Sequence, residues 1–318
     1  MTGPLTLPRV RLATLPTPLV PAPRLSEAAG VEIWLKRDDL TGLGVGGNKV
    51  RGLEYLLGDA LARGCDHLVT GGGPASNWAM LAALAARLHG LAATLVCYGD
   101  PVPAVGNMAL AGVAGATVRF TGEQDRTSVD RVVEEVAAEL RAAGACPLAL
   151  GRGGATPVGA LGYATAAVEL AGQLAAAGIG PATFWLATGS CGTQGGLHAG
   201  VAWQGLGRVV GVTVSRPAPE CVERVTALAR GAAQLLGVPA PTEPPTILDG
   251  HLGPAYGRRS PEGDAAAALV ACTEGVFLDP VFAAKAMAGL LVAARRGEVT
   301  GPVVFLVSGG APTLFTTP

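Results

Sequence analysis

The sequence predicts an α/β fold with two open parallel sheets, each covered by helices on both faces, and a cleft between them. Three observations predict it. From Val31 onward, short apolar runs alternate with Ala- and Leu-rich stretches of helical period. Strands separated by helices cannot pair through hairpins, so they assemble as parallel sheets flanked on both sides. Glycine-rich segments directly follow three of the expected strands, at 70–77, 188–196 and 308–312, and ligands gather at those strand ends. The 318 residues suffice for two domains with full cores.

Taken in order, residues 1–27 are proline-rich and read as an extended arm. A helix follows over 52–63, where Leu53, Leu56, Leu57, Ala60 and Leu61 fall on one face. Next come a strand at 67–70, a helix near 78–88 and a strand at 93–98. A helix near 106–113, a strand at 117–120 and a helix near 127–143 continue the alternation. The second half gives a strand near 147–150, a helix near 158–177 and a strand at 183–187. Further strands are expected at 209–214 and 303–307, with helices near 219–236, 263–273 and 281–296.

Composition narrows the function. Hydrophobic residues make up 49% and charged residues 15%, which marks a folded chain. A net charge of −1 without a basic run argues against nucleic acid or an anionic membrane as partner. No apolar stretch is long enough to span a bilayer, and residues 1–10 lack signal-peptide character, so a cytoplasmic protein is expected. The six cysteines form no C-x-x-C pair and the four histidines are scattered, so no metal site is expected.

Lys36, Lys49 and Lys285 are the only lysines among 23 Lys and Arg residues. Lys49 falls in a glycine-rich loop, Gly44-Val45-Gly46-Gly47-Asn48-Lys49-Val50-Arg51. A lysine kept in a chain that otherwise uses arginine points to chemistry that a guanidinium cannot do, since an amine can lose its proton and form an imine with an aldehyde. The alternative is a solvated loop lysine. The segment Thr188-Gly189-Ser190-Cys191-Gly192-Thr193-Gln194-Gly195-Gly196 reads as a phosphate cradle, with converging N–H groups and the positive end of the next helix, or as a tight strand-to-helix turn. It fits neither a P-loop nor a dinucleotide fingerprint. Cradle and lysine together suit a phosphorylated aldehyde held at both ends.

Several ordered motifs resemble those of the D-cysteine desulfhydrase and 1-aminocyclopropane-1-carboxylate deaminase family, within the fold-type II, tryptophan synthase β-like enzymes that use pyridoxal 5′-phosphate. They are Lys36-Arg37-Asp38-Asp39, Gly46–Arg51, Ser76-Asn77, Gly159–Tyr163, Thr188–Thr193, Gly211–Arg216, Leu278–Val281 with Lys285–Leu290, and Gly309–Pro312. The resemblance spans about Pro16 to Phe315 and leans towards the desulfhydrase branch. It implies a larger cofactor-binding domain of residues 1–48 and 151–318, a smaller one of 49–150, and a homodimer. Lys49 would be the Schiff-base lysine, with Asn48 beside it. Asn77 would bond the 3′-oxygen of the cofactor. Thr188, Gly189, Ser190, Cys191, Gly192 and Thr193 would hold its phosphate, and Ser308 would face the ring nitrogen. Ser76 and Tyr256 would be catalytic, and Ser76, Trp78, Tyr256 and Phe282 would form the substrate pocket.

The chain departs from the family's pattern at several positions. Phe282 stands where a second tyrosine is usual, and a benzyl ring moves no proton. Ala75, Trp78, Met80, Ala283 and Val307 also replace more polar residues, so a more apolar substrate pocket is expected. The first reading is α,β-elimination of a small amino acid, with D-cysteine going to pyruvate, sulfide and ammonia. Three alternatives stay open: the deaminase reaction, a respecialised biosynthetic activity such as β-replacement, and a cofactor-binding homologue without turnover. Lys36 reads as solvated or salt-bridged, Lys285 as structural, and Asp38-Asp39 as an arm turn or a carboxylate pair. Cys191 reads as packing, and Tyr163 and Trp185 as core or cleft wall. Arg152, Arg258 and Arg259 are candidates for a substrate carboxylate.

Overall fold

A computed structural model describes residues 7–315 of the chain. Its elements in order are β1 (Leu19–Pro21), α1 (Pro23–Ala29), β2 (Ile33–Lys36), α2 (Lys49–Ala62), β3 (His67–Gly72), α3 (Asn77–Leu88), β4 (Ala92–Cys97), α4 (Gly106–Val113), β5 (Thr117–Phe120), α5 (Ser128–Ala142), β6 (Pro147–Ala149), α6 (Pro157–Ala176), β7 (Ala182–Thr188), α7 (Gly192–Gln204), β8 (Gly207–Thr213), α8 (Ala218–Leu236), β9 (Thr246–Leu248), α9 (Pro261–Glu274), α10 (Ala283–Arg295) and β10 (Val303–Leu306).

The strands form two sheets, one of six strands in the order β1-β2-β10-β7-β8-β9 and one of four in the order β5-β4-β3-β6. Every pairing is parallel except β1 with β2, which is antiparallel. The arm expected over 1–27 is therefore not extended throughout. Its last part builds an edge strand and the helix α1, which Pro23 opens and left-handed Gly30 closes. Residues 1–6 lie outside the described part. The short strands β1, β2 and β9 escape period reading because each offers only three or four residues of alternation.

Both sheets are three-layered. One face of the larger sheet, through Ile33, Leu35, Trp185, Val212 and Phe305, packs on α1, α9 and α10. The other, through Phe184, Leu186, Val209 and Val304, packs on α6 and α7. In the smaller sheet Leu68, Ala93, Leu95 and Leu148 meet α2 and α3, while Val69 and Val96 meet Val129, Val133 and Val136 of α5. The Val, Leu, Ile and Phe side chains among these contribute about 1.5–3 kcal/mol each when fully buried. Helix α2 also crosses α6 at near backbone contact: a Cβ on Gly52 would lie 2.7 Å from the Gly159 carbonyl, and one on Gly162 2.4 Å from the Arg51 carbonyl carbon. Small residues at this crossing fix the helix that starts with Lys49. Among the described residues no helix is long and apolar enough to cross a membrane, and no group of three or more His, Cys, Asp or Glu is placed to hold a metal.

Candidate active site

Lys49 is the first residue of α2 rather than a loop residue. The chain reaches it through Gly47, whose φ is +139° and which bridges to Gly309 beyond β10. A Cβ on Gly47 would meet Asn77 Nδ2 at 2.8 Å and the Ser308 carbonyl at 3.2 Å, so glycine lets three separate segments meet here. The Asn48 N–H donates to the Ser308 carbonyl at 3.0 Å.

The Lys49 amine donates to Ser190 Oγ at 3.4 Å, and burial lowers its pKa to about 8. A lowered lysine is charged below that value and free to act as a nucleophile above it. In cofactor-free protein, acylation of Lys49 by an amine-directed reagent, read by peptide mass spectrometry, is expected to rise with a midpoint at about pH 8. A midpoint at the ordinary lysine value would contradict the burial of this amine.

Strand β7 leads into the turn before α7. Cys191 there has φ 75°, the only left-handed residue other than glycine among the described residues, and such backbone costs about 1–2 kcal/mol. The turn opens α7 directly at Gly192, and its free N–H groups and dipole suit an anion. Gly189 and Ser190 line the cleft, while Gly192 and Thr193 border a smaller void beside Asn48 and Lys49. Asn48 Nδ2 donates to Thr193 Oγ1 at 3.0 Å. Two expected cofactor residues turn away from the cleft. Thr188 Oγ1 is engaged with Gln194 Oε1 at 2.5 Å. Cys191 is buried with Cys221, Val225 and Leu228, and its hydrogen bond to Cys221, with burial, pushes its thiol up, so it stays protonated.

Asn48, Lys49, Ser76, Asn77, Trp78, Gly189, Ser190, Tyr256, Phe282 and Ser308 share one cleft of about 880 Å³ of free space, open solvent at its mouth included. Ser76 caps α3, its Oγ accepting from the Ala79 N–H at 3.2 Å, which leaves its O–H free to donate. Asn77 Oδ1 is buried and has no hydrogen-bond partner among the described residues. Trp78 Nε1 donates to Thr70 Oγ1 at 2.9 Å. Tyr256 and Phe282 meet edge to face at 6.3 Å and 70°. Burial raises the Tyr256 phenol above its ordinary range, with nearby Arg126 opposing.

Not every replacement behind the expectation of a more apolar pocket reaches the cleft. Met80, Ala283 and Val307 are buried in the two cores, and Ala75 lies in an open groove outside the cleft; of the replacements only Trp78 and Phe282 reach the cavity. Its wall also carries Lys49, Arg126, Arg152 and Arg216, and no Asp or Glu. Arg152 pairs with Asp130 at 2.8 Å and Arg216 with Glu220. Arg258 and Arg259 line the open groove. Arg126 and Tyr98 were not singled out by the sequence reading, and Ser215 entered only as part of the Gly211–Arg216 motif. The position of their loops after β5, β4 and β8 is the signal that finds them, because all follow parallel strands and none is rich in glycine.

Behind Lys49, Arg51 anchors α2 in a buried charge network. Arg51 binds Asp38 through two hydrogen bonds, of 2.7 and 2.9 Å, and Glu169 through two more, both 2.9 Å. Thr17 and Tyr163 donate to Asp38. Burial pushes the Asp38 carboxyl up, but Arg51 outweighs it and holds the group below the usual range. Asp38 is thus no catalytic partner of Asp39, which pairs with Arg37 at 2.7 Å. Lys36 is buried rather than solvated and pairs with Glu169. Lys285 is buried and donates to the Leu252 carbonyl at 2.6 Å.

The chain matches the family described as "Pyridoxal-phosphate dependent enzyme" over residues 10–309. It is 41% identical to a Pyrococcus abyssi protein that carries the provisional name 1-aminocyclopropane-1-carboxylate deaminase, over 97% of this chain and 93% of that one. To the D-cysteine desulfhydrase of Klebsiella pneumoniae (strain 342) it is 38% identical, over 97% and 95%. The crystal structure of an ACC deaminase homologue superposes with a TM-score of 0.91 at 38% identity, covering 97% of this chain and 93% of that one. Both enzyme names occur at nearly equal identity, so these relatives do not divide the two branches.

Proposed function

Because the chain belongs to the pyridoxal-phosphate-dependent enzyme family, we propose that it is a lyase that eliminates the β-substituent of a small amino acid and releases the amino group as ammonia. D-Cysteine and water would give pyruvate, sulfide and ammonia. The observation that carries the reading is the buried Lys49 amine, its pKa lowered to about 8, facing Ser190 at the mouth of α7. The cleft fits the cofactor. Asn77 Oδ1 lacks a donor, a deficit of about 1–3 kcal/mol for a buried acceptor, which a ring hydroxyl would fill. The α7 turn offers N–H groups to a phosphate. When bound, pyridoxal phosphate supplies an electron sink for charge at the substrate's α-carbon.

The chain's own groups do the rest. Lys49, which burial brings closer to its free-amine form than an ordinary lysine, would attach the cofactor and then hold the proton taken from the α-carbon. Ser308 would meet the ring nitrogen with a neutral group. Ser76, at the N-terminus of α3, donates to the substrate carboxylate. Tyr256 offers a phenol on the wall beside Phe282, which has none. A division into residues 1–48 with 151–318 and residues 49–150, and a homodimer, belong to the same reading. The exposed Val102, Val105 and Val113 support the dimer.

Holoenzyme given D-cysteine, L-cysteine and 1-aminocyclopropane-1-carboxylate in turn is expected to release sulfide and α-keto acid from D-cysteine. Keto acid from the cyclopropane alone would move the reading to the deaminase branch. None from any amino acid would leave a cofactor-binding protein without turnover, the reading that Phe282 favours. Phe282→Tyr restores a proton-bearing group and is expected to raise kcat for D-cysteine about tenfold or more. A fall instead would mark the benzyl ring as an adaptation to another substrate.

A further inference from the structure

The charges on the cleft wall do not balance once the proposed cofactor and α-amino acid are accounted for. Four cationic side chains line it and no carboxylate does. Burial drives Lys49 towards its neutral form. Asp130 and Glu220 neutralise Arg152 and Arg216. A phosphate has the α7 turn, and an α-carboxylate has Ser76 and the start of α3. Arg126 is left over, since it forms no ion pair with any described residue. Its guanidinium is nevertheless held in place: it lies 3.6 Å from the centre of the Tyr256 ring and donates from Nη2 to Ser215 Oγ at 2.9 Å.

A guanidinium fixed over an aromatic ring, half-buried and without an ion-pair partner among the described residues, is arranged to receive an anion in its fork. A neutral pocket would not keep such a charge, because desolvating it without a partner is costly. Tyr256 ties this position to the reaction centre, because the ring that carries Arg126 on one side meets Phe282 at its edge.

We propose that Arg126 reads a second negative charge on the substrate, so that the preferred amino acid carries an anionic group, a carboxylate or another oxoanion, at the end of its side chain. This rests on the lyase reading above and deepens it: D-cysteine, whose thiol is mostly neutral at pH 7, would be accepted but not preferred.

The test uses holoenzyme and ligands that differ in one charge. Binding of D- and L-aspartate is compared with that of D- and L-asparagine by calorimetry, for wild type, Arg126→Gln and Arg126→Lys. Cofactor content is measured in each by borohydride reduction and mass spectrometry of the Lys49 peptide. Wild type is expected to bind one aspartate enantiomer roughly tenfold to a hundredfold more tightly than its amide, the worth of a charge-assisted hydrogen bond. Arg126→Gln is expected to bring that ratio to about one at unchanged cofactor content, and Arg126→Lys to restore part of it. Equal binding of acid and amide by wild type would overturn the proposal, as would a ratio that survives Arg126→Gln. Equal weakening of both ligands would assign Arg126 to the α-carboxylate, and loss of cofactor would assign it to the phosphate. Either result overturns the proposal while leaving the lyase reading in place. A wild type without adduct at Lys49 would remove both.

Discussion

Lys49→Ala is expected to carry no borohydride-trapped cofactor and to lose about 10³-fold or more of its turnover. The size follows from two roles lost at once, covalent attachment and the α-proton. No other lysine can take over. Lys36 is buried and committed to Glu169, to Gln173 at 2.7 Å and to the Thr17 carbonyl at 2.8 Å. Lys285 is buried with its amine on the Leu252 carbonyl. Arginines are too basic to substitute. The fold, in contrast, should tolerate the change, because the Lys49 amine makes one long hydrogen bond, to Ser190, and removing a buried, partly charged group relieves desolvation. A melting temperature near that of wild type, with activity and adduct both gone, is the expected pair of results. An adduct that persists at position 36 or 285, or turnover within tenfold of wild type, would refute the assignment.

The long elements were legible in the sequence because each repeats its period several times over. Helix α5 places Val129, Val133 and Val136 on one buried stripe, and the 106–113 helix and 117–120 strand fall where the pattern puts them. Strands β1, β2 and β9 and helix α1 were not legible, because three to seven residues carry too little periodicity and they lack the glycine-rich segments that follow β3, β7 and β10. At the site, the glycine-rich segments announced Lys49, Asn77, Ser190 and Ser308, since close backbone approach leaves a compositional mark. Side chains are different. Nothing in the string separates Thr188, whose hydroxyl Gln194 occupies, from Ser190, whose hydroxyl faces the cleft. Nor does it separate Met80, a core residue, from Trp78 two positions earlier, since helix α3 alone decides which of them turns to the cavity. Arg126 was invisible for the opposite reason: one arginine among twenty in the chain, its importance comes from its forming no ion pair with any described residue while its guanidinium is held over Tyr256, which only the fold reveals.

Arg51→Ala is expected to destabilise the protein by about 3–5 kcal/mol, the cost of stripping one partner from a buried ion pair. Exposure decides this magnitude. The Arg51 and Asp38 side chains are 2% and 1% exposed and Glu169 14%, whereas the Arg131 pairs at about half exposure belong to the class worth roughly 0–1 kcal/mol. Without the guanidinium, Asp38 and Glu169 face each other as buried carboxylates with only Lys36, Thr17 and Tyr163 to hold them. The pH dependence carries a definite sign. In the wild type both carboxyls are held below their usual range, so their contribution is present above the unfolded pKa values and is lost as pH falls through the folded ones. In the variant the same burial, no longer offset, raises the folded pKa values, so the cost is borne near neutral pH and shrinks as the groups take up protons. The stability gap between the two proteins, measured by urea unfolding, should therefore be widest near pH 7 and narrow towards pH 4. Because Arg51 lies two residues beyond Lys49 on α2, the variant should also load cofactor at Lys49 more slowly at pH 7. A gap under 1 kcal/mol, or one that widens in acid, would mean that the network does not hold the helix, leaving the Gly52–Gly159 crossing as what fixes Lys49.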